Sequence, residues 1–114
     1  VRGGSQSGNI AAEDLVRAGL CDALVSDYYY PALAQAAFAL ADRGACDLAA
    51  AWRMISTAPA RIFGLTDRGS IALGQRADLV VVNAETRQPE MTLCAGRVAH
   101  LSGGLAARML AKAA

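Results

Sequence analysis

An aspartate that follows a short apolar run is the side chain in this sequence with the clearest potential for chemistry. Residues 23–25 (Ala-Leu-Val) form the run, and Ser26, Asp27 and three tyrosines follow it. The run is long enough for a strand and too short for a buried helix, so it predicts a buried parallel strand that delivers the Asp27 carboxylate at its end. Open α/β sheets and barrels hold their active sites at the carboxyl ends of strands, which makes Asp27 the first candidate catalytic residue. The alternative is that Asp27 only caps the helix that follows.

A glycine-rich segment near the N-terminus could bind an anion. Residues 3–9 read Gly-Gly-Ser-Gln-Ser-Gly-Asn and lead into a helical pattern. Free backbone N–H groups at such a junction suit a phosphate, and Ser5, Ser7 and Asn9 add side-chain donors. The segment has neither the Gly-Lys-Ser/Thr of a P-loop nor the GxGxxG of a dinucleotide-binding turn, so an ordinary loop is the alternative.

Composition argues against several classes of function. The chain has 114 residues, 54% of them apolar, and a formal net charge of +1. It can bury a core, but it offers no basic surface, and we expect neither nucleic-acid nor membrane partners. No apolar run approaches the roughly 20 residues needed to cross a bilayer. Cys21, Cys46 and Cys94 are widely spaced and form no CxxC pair, which predicts a reducing, cytoplasmic location.

Helical periodicity dominates the first half of the chain. The first helix is expected to have Asn9 as its N-cap and to end at Gly19. A second should span residues 32–43 and end at Gly44, after which Asp47 can cap a third that runs to residue 55. A fourth, short helix is expected to start near Pro59, at the first helical position, and to end at Gly64.

The pattern changes near residue 65, where short apolar runs begin to alternate with turn residues. Residues 77–82 predict a strand, and residues 91–94 and 98–101 predict a hairpin around Ala95-Gly96-Arg97. Residues 105–113 return to a helical register after a Ser-Gly-Gly hinge. We therefore expect three parts, namely an α/β part over residues 1–64, a β-rich part over 65–101 and a C-terminal helix over 102–114.

Two groups of motifs resemble a known enzyme family. The second half carries a signature that resembles the C-terminal part of the amidohydrolase superfamily: Thr57-Ala58-Pro59-Ala60-Arg61, Gly64-Leu65, Gly69-Ser70-Ile71, Gly74 and Arg76-Ala77-Asp78-Leu79-Val80-Val81. The resemblance implies an α/β fold in which the last strand-and-helix units of a (β/α)₈ barrel are followed by short strands of a small β-sandwich. Since the chain opens without Met inside a loop that looks functional, we expect a fragment of a longer protein.

The first third narrows the resemblance to one branch of that superfamily. Residues 1–9, together with Ser26-Asp27-Tyr28-Tyr29, Pro31, Leu33 and Ala36-Ala37-Phe38, resemble the PhnM family of phosphonate-metabolism diphosphatases. This resemblance implies a phosphorylated sugar phosphonate as substrate, a ribose 1-alkylphosphonate whose 5-triphosphate is hydrolysed to 5-phosphate plus pyrophosphate. The implied substrate-binding residues are Gly3, Gly4, Ser5, Ser7, Asn9 and Tyr28.

The resemblance also assigns a role to Asp27 and implies a divalent metal ion, for which zinc is the first candidate. In the superfamily the corresponding aspartate orients or deprotonates a metal-bound water and can ligate the metal. Burial by the neighbouring tyrosines would make that carboxylate more basic, while a bound metal ion would make it less basic. The sequence departs from the family at Gln6, where the family has His, because glutamine cannot titrate and is a poor metal ligand.

The superfamily's other metal-binding motifs are absent, and the one histidine, His100, lies in the β-rich tail. A lone aspartate cannot supply the usual three protein ligands, so we expect the isolated chain to bind no catalytic metal and to be inactive. Two alternatives from other classes remain. One is a non-catalytic module that forms homo-oligomers through exposed strand edges and helix faces. The other is a small anion-binding module built on residues 3–9.

Overall fold

A computed structural model describes residues 11–113 of the chain, which divides into two compact units, Val1–Gly69 and Ser70–Ala114. Each unit contains helices, and the described strands all lie in the second unit. In the described part of the chain, no helix is both long and apolar enough to cross a membrane.

The regular secondary structure described in the first unit is entirely helical. Its helices are α1 (Ala12–Arg17), α2 (Ala32–Asp42), α3 (Leu48–Ile55) and α4 (Thr57–Ile62). Ala37 and Leu40 of α2 pack against Ala51 and Met54 of α3, and these four side chains form the buried core. The small alanine side chains let the two helices approach closely, so the core forms at the α2–α3 contact.

Glycines end three of these helices, as the sequence predicted. Gly19, Gly44 and Gly64 follow α1, α2 and α4 with φ of 70°, 68° and 69°. At each end, the N–H of the residue after the glycine donates to the carbonyl five residues earlier, at 2.8–2.9 Å. This is the Schellman arrangement, which needs a left-handed residue and therefore favours glycine.

Helix starts were predicted less well than helix ends. Asp47 caps α3 as expected, with its Oδ1 accepting from the N–H of Ala50 at 2.7 Å. The predicted N-cap at Asn9 is wrong, because Ala11 occupies the N-cap position of α1, and Asn9 itself lies outside the described residues. Pro59 is the third residue of α4 rather than the first. The position remains compatible with proline, because N–H groups of the first turn have no partner within the helix.

The predicted strand over residues 23–25 is wrong. This segment is an irregular connection between α1 and α2, and the Val25 side chain is 90% exposed. Leu24 alone of the three packs against the helical core. A buried parallel strand requires neighbouring strands, and the described residues of this unit contain none.

The second unit contains a small antiparallel sheet with a helix. Its strands are β1 (Leu79–Val82), β2 (Pro89–Cys94) and β3 (Arg97–Leu101), in the order β1-β2-β3, and α5 spans Gly103–Ala113. The predicted hairpin is confirmed: β2 and β3 are joined by Ala95 and Gly96, with φ of 52° and 79°. Two consecutive left-handed residues match the twist of the flanking strands in a two-residue turn.

Part of the sequence signature closes this hairpin. The Asp78 Oδ1 accepts from the backbone N–H of Ala95 at 2.8 Å and lies 2.9 Å from the Arg76 Nε. The N–H of Gly96 donates to the carbonyl of Ala77 at 2.9 Å. The Arg76-Ala77-Asp78 motif therefore has a structural role, since it satisfies backbone groups of a tight turn.

The chain is α/β, as expected, with its described strands confined to the three-stranded sheet. That the two parts belong to a barrel and to a β-sandwich, with boundaries at residues 64 and 101, stays a prediction.

Candidate functional site

Asp27 lies in a turn that is anchored to the helical core. The N–H of Tyr29 donates to the carbonyl of Ser26 at 3.3 Å across the turn, and Asp27 adopts a left-handed φ of 55°. Aspartate enters this conformation more readily than most residues with a Cβ. Just upstream, the N–H of Leu24 donates to the carbonyl of Met54 at 3.0 Å, which fastens the segment to the end of α3.

The structure removes the helix-cap explanation for Asp27. Helix α2 follows Pro31 and has no side-chain capping bond, so the predicted cap is wrong. The burial expected from the tyrosines is also wrong: Asp27 is exposed, and Tyr28 and Tyr30 are 88% and 84% exposed. The carboxylate is therefore open to water and to a ligand, with Tyr28 beside it on the same turn.

The resemblance also predicted substrate-binding residues in the N-terminal segment. Gly3, Gly4, Ser5, Ser7 and Asn9 lie outside the described residues, as does Gln6. Their assignment to the substrate stays a prediction.

The described residues do not fit a complete metal centre. Catalytic zinc sites use about three protein ligands. Between residues 11 and 113, no three His, Cys, Asp or Glu side chains lie together as potential ligands. His100 is hydrogen-bonded to the Ser102 hydroxyl at 3.0 Å in the second unit. Asp27 could supply one ligand to a metal held mainly by other residues, and no catalytic step follows from a metal held by residues 11–113 alone.

Sequence reasoning missed Glu90, a buried carboxylate that links the sheet to α5. The side chain is 9% exposed, and it accepts from the backbone N–H groups of Gly104 and Leu105, both at 3.1 Å. The Asn83 Nδ2 also donates to it at 3.1 Å. The hydrogen bond from Asn83 lowers the pKa of Glu90, burial opposes this, and the two backbone N–H groups and Arg108 lower it further.

Glu90 thus caps the N-terminus of α5 from the neighbouring strand, while the hydroxyl of Ser102, which precedes the helix, donates to the carbonyl of Pro89 at 3.3 Å. A carboxylate at a helix N-terminus satisfies free N–H groups and interacts favourably with the helix dipole. The sequence feature that could have identified Glu90 as a cap is a glutamate inside an apolar strand, upstream of a helix that starts with two glycines. The role of Glu90 is structural.

Comparisons with known proteins place these features in a family. The sequence model of the amidohydrolase family matches residues 4–99. The α-D-ribose 1-methylphosphonate 5-triphosphate diphosphatase of Escherichia coli (strain K12) is 47% identical over 85 residues, which is 73% of this chain and 22% of that enzyme.

Adenine deaminases also match, over shorter stretches. The enzyme of Brucella abortus (strain 2308) is 52% identical over 56 residues, 48% of this chain and 10% of that protein. Adenine deaminase 1 of Rhizobium meliloti (strain 1021) is 51% identical over 49 residues, 42% of this chain and 9% of that protein. The chain thus spans about a fifth or less of the length of these curated relatives. No solved structure matches the chain.

Proposed function

This chain belongs to the amidohydrolase family, as the resemblance predicted, and we propose that it is the C-terminal part of a phosphonate-pathway diphosphatase. The complete enzyme would hydrolyse the 5-triphosphate of a ribose 1-alkylphosphonate to the 5-phosphate and pyrophosphate. The observation that carries this proposal is the 47% identity to the Escherichia coli diphosphatase over 73% of the chain. This alignment is longer than those with the adenine deaminases, whose matched stretches cover 48% of the chain or less.

In this proposal Asp27 accepts a proton from the water that attacks the scissile phosphorus. Its carboxylate is exposed, forms no helix cap and lies on a turn fastened to the core through Leu24 and Met54. General-base assistance requires a proton acceptor that the attacking water can reach, and an exposed carboxylate is open to that water. Tyr28 and residues 3–9 would hold the phosphates through hydroxyl, amide and backbone donors.

The proposal includes a divalent metal, zinc first, in the complete enzyme. Because residues 11–113 form no ligand cluster, the other ligands would come from outside this stretch. We propose a cytoplasmic location, which would suit the three free cysteines. The isolated chain would be inactive and would self-associate.

Adenine deamination is the second candidate, favoured by the 52% identity to the Brucella abortus enzyme. The two activities release different products. The complete protein, extended upstream of Val1 to its natural start, should be assayed for pyrophosphate from the ribose 1-methylphosphonate 5-triphosphate and for ammonia from adenine. Release of pyrophosphate would support the diphosphatase proposal. Release of ammonia without pyrophosphate would contradict that proposal and support adenine deamination instead.

The role of Asp27 is tested in the same complete protein. Asp27→Asn keeps the shape of the side chain but cannot accept the proton, so turnover should fall by about 10²–10⁴-fold. Asp14→Asn is the matched control, because Asp14 is exposed on α1 of the same unit and should tolerate the change. Circular dichroism should show that both variants fold. Near-normal pyrophosphate release by Asp27→Asn would exclude Asp27 from the chemistry.

A further inference from the structure

The first unit has a cavity of about 470 Å³ that does not include Asp27 among its lining residues. Its volume falls in the range typical of small-molecule sites. One part of the wall is apolar and comes from α1, α3 and α4, through Val16, Ala50, Met54, Ala58 and Ile62. The cavity could therefore accept a small apolar group of a ligand.

Two arginines line the same cavity. Arg53 of α3 and Arg61 of α4 are exposed, and neither guanidinium forms an ion pair or hydrogen bond with another described residue. The other arginines in the described part of this unit are paired. Arg17 and Arg43 share the Glu13 carboxylate, each at 2.8 Å, and Arg68 lies 2.8 Å from Asp67. Arg53 and Arg61 thus keep their donors available at the cavity.

One acidic side chain offsets part of this charge. Asp22 also lines the cavity, so two guanidinium groups and one carboxylate face it. Cys21 and Cys46 complete the lining. The pKa of the Cys21 thiol is raised by burial and by the nearby Asp22 charge. The Cys21 thiol is therefore expected to be neutral at physiological pH, and it leaves the excess positive charge in place.

We propose that this cavity binds a phosphate monoester with a small apolar body. A guanidinium presents paired N–H donors that match phosphate oxygens, and two of them suit a dianion better than a singly charged carboxylate. The apolar wall receives the organic group and the two arginines bind the phosphate. This inference does not rest on the proposed hydrolase activity, because it concerns binding to the first unit of this chain and uses neither Asp27 nor residues 3–9.

Titration of the 114-residue chain with phenyl phosphate, benzoate and inorganic phosphate tests the proposal. Calorimetry should show saturable binding of phenyl phosphate, with benzoate weaker for lack of the second charge and inorganic phosphate weaker for lack of the ring. Arg53→Gln and Arg61→Gln should each weaken phenyl phosphate binding by about tenfold. Arg97→Gln, on β3 of the second unit, is the matched control and should leave binding unchanged.

Cysteine alkylation gives a second readout that locates the ligand. Phenyl phosphate should slow the reaction of iodoacetamide with Cys21 and Cys46, which line the cavity, relative to Cys94 in the second unit. Peptide mass spectrometry measures the three rates in one sample. The proposal is overturned if phenyl phosphate binds without saturation, if both arginine variants bind as the wild type does, or if all three cysteines are slowed equally.

Discussion

Replacing Gly69 with alanine should destabilise the first unit far more than the same change at an open glycine. Gly69 has a φ of 100°, and a Cβ added there would lie 2.6 Å from the Cβ of Ala60 and 3.4 Å from the carbonyl oxygen of Ser56. Ala60 is buried in α4 and cannot rotate away, because its side chain is a single methyl group. The new methyl group can fit only if the backbone of α4 or of Gly69 moves.

Hydrogen bonds oppose that movement. The Gly69 carbonyl accepts from the Thr57 Oγ1 at 2.6 Å and from the Ser56 Oγ at 3.2 Å, which fasten it to the start of α4. We expect about 1–2 kcal/mol for the left-handed backbone. Steric overpacking adds about 1–3 kcal/mol. Gly69→Ala should therefore lower the free energy of unfolding by about 3 kcal/mol.

Gly44→Ala is the control, because its φ of 68° is also left-handed and nothing lies within 4 Å of the added Cβ. This variant should lose only the stability cost of the left-handed backbone, so its free energy of unfolding should fall by about 1 kcal/mol. The single tryptophan, Trp52, lies in α3 and packs edge-on against Phe38 at 5.7 Å, so its fluorescence follows unfolding of the first unit in urea. Ala60→Gly combined with Gly69→Ala should recover the steric part. Equal losses for Gly69→Ala and Gly44→Ala would refute the close-contact argument.

Three further predictions concern caps, charge and association. Asp47→Ala should lower the stability of the first unit by about 1 kcal/mol, read from Trp52 fluorescence in urea, because the N–H of Ala50 loses its acceptor; an unchanged midpoint would contradict this. Glu90→Gln should increase amide exchange at Gly104 and Leu105 at neutral pH. Because the folded pKa of Glu90 is lowered, the wild-type protection should be present above the unfolded pKa of about 4.3 and be lost as pH falls through the folded value. A variant that exchanges like the wild type at neutral pH would rule out Glu90 as the helix cap. The isolated chain should self-associate at micromolar concentration, since Val25, Phe63 and Ile71 are exposed, and light scattering that gives a monomer mass would count against it.

Short sequence patterns predicted most of the features that depend on neighbouring residues in the chain. The glycine ends of α1, α2 and α4, the Asp47 cap and the Ala95-Gly96 turn depend on residues within one helical turn or one hairpin. The amidohydrolase resemblance was likewise carried by short motifs, and the family comparison confirms it. The structure assigns the Arg76-Ala77-Asp78 motif a role that its sequence alone did not show, because the Asp78 carboxylate accepts a hydrogen bond from a backbone N–H of the hairpin turn.

Features that depend on distant residues were harder to predict. The strand over residues 23–25 was inferred from an apolar run, but a strand also needs partner strands that a short run cannot reveal. Glu90 contacts α5 from β2, across 14 and 15 residues of sequence, so no local pattern marks it as a helix cap. The cavity beside Arg53 and Arg61 depends on the packing of α1, α3 and α4, and each arginine taken singly resembles an ordinary surface residue.

The role of Asp27 depends both on its local turn and on the elements around it. Its position was inferred from a strand that is absent, yet the structure also removes the competing helix-cap role. What remains is an exposed carboxylate at a φ of 55°, in a turn that backbone hydrogen bonds hold in place. Asparagine occupies left-handed positions as readily as aspartate, so the turn itself does not require the charge. Asp27→Asn should therefore preserve the turn, and any large loss of turnover in the complete enzyme must come from the carboxylate's chemistry rather than from a change in the fold.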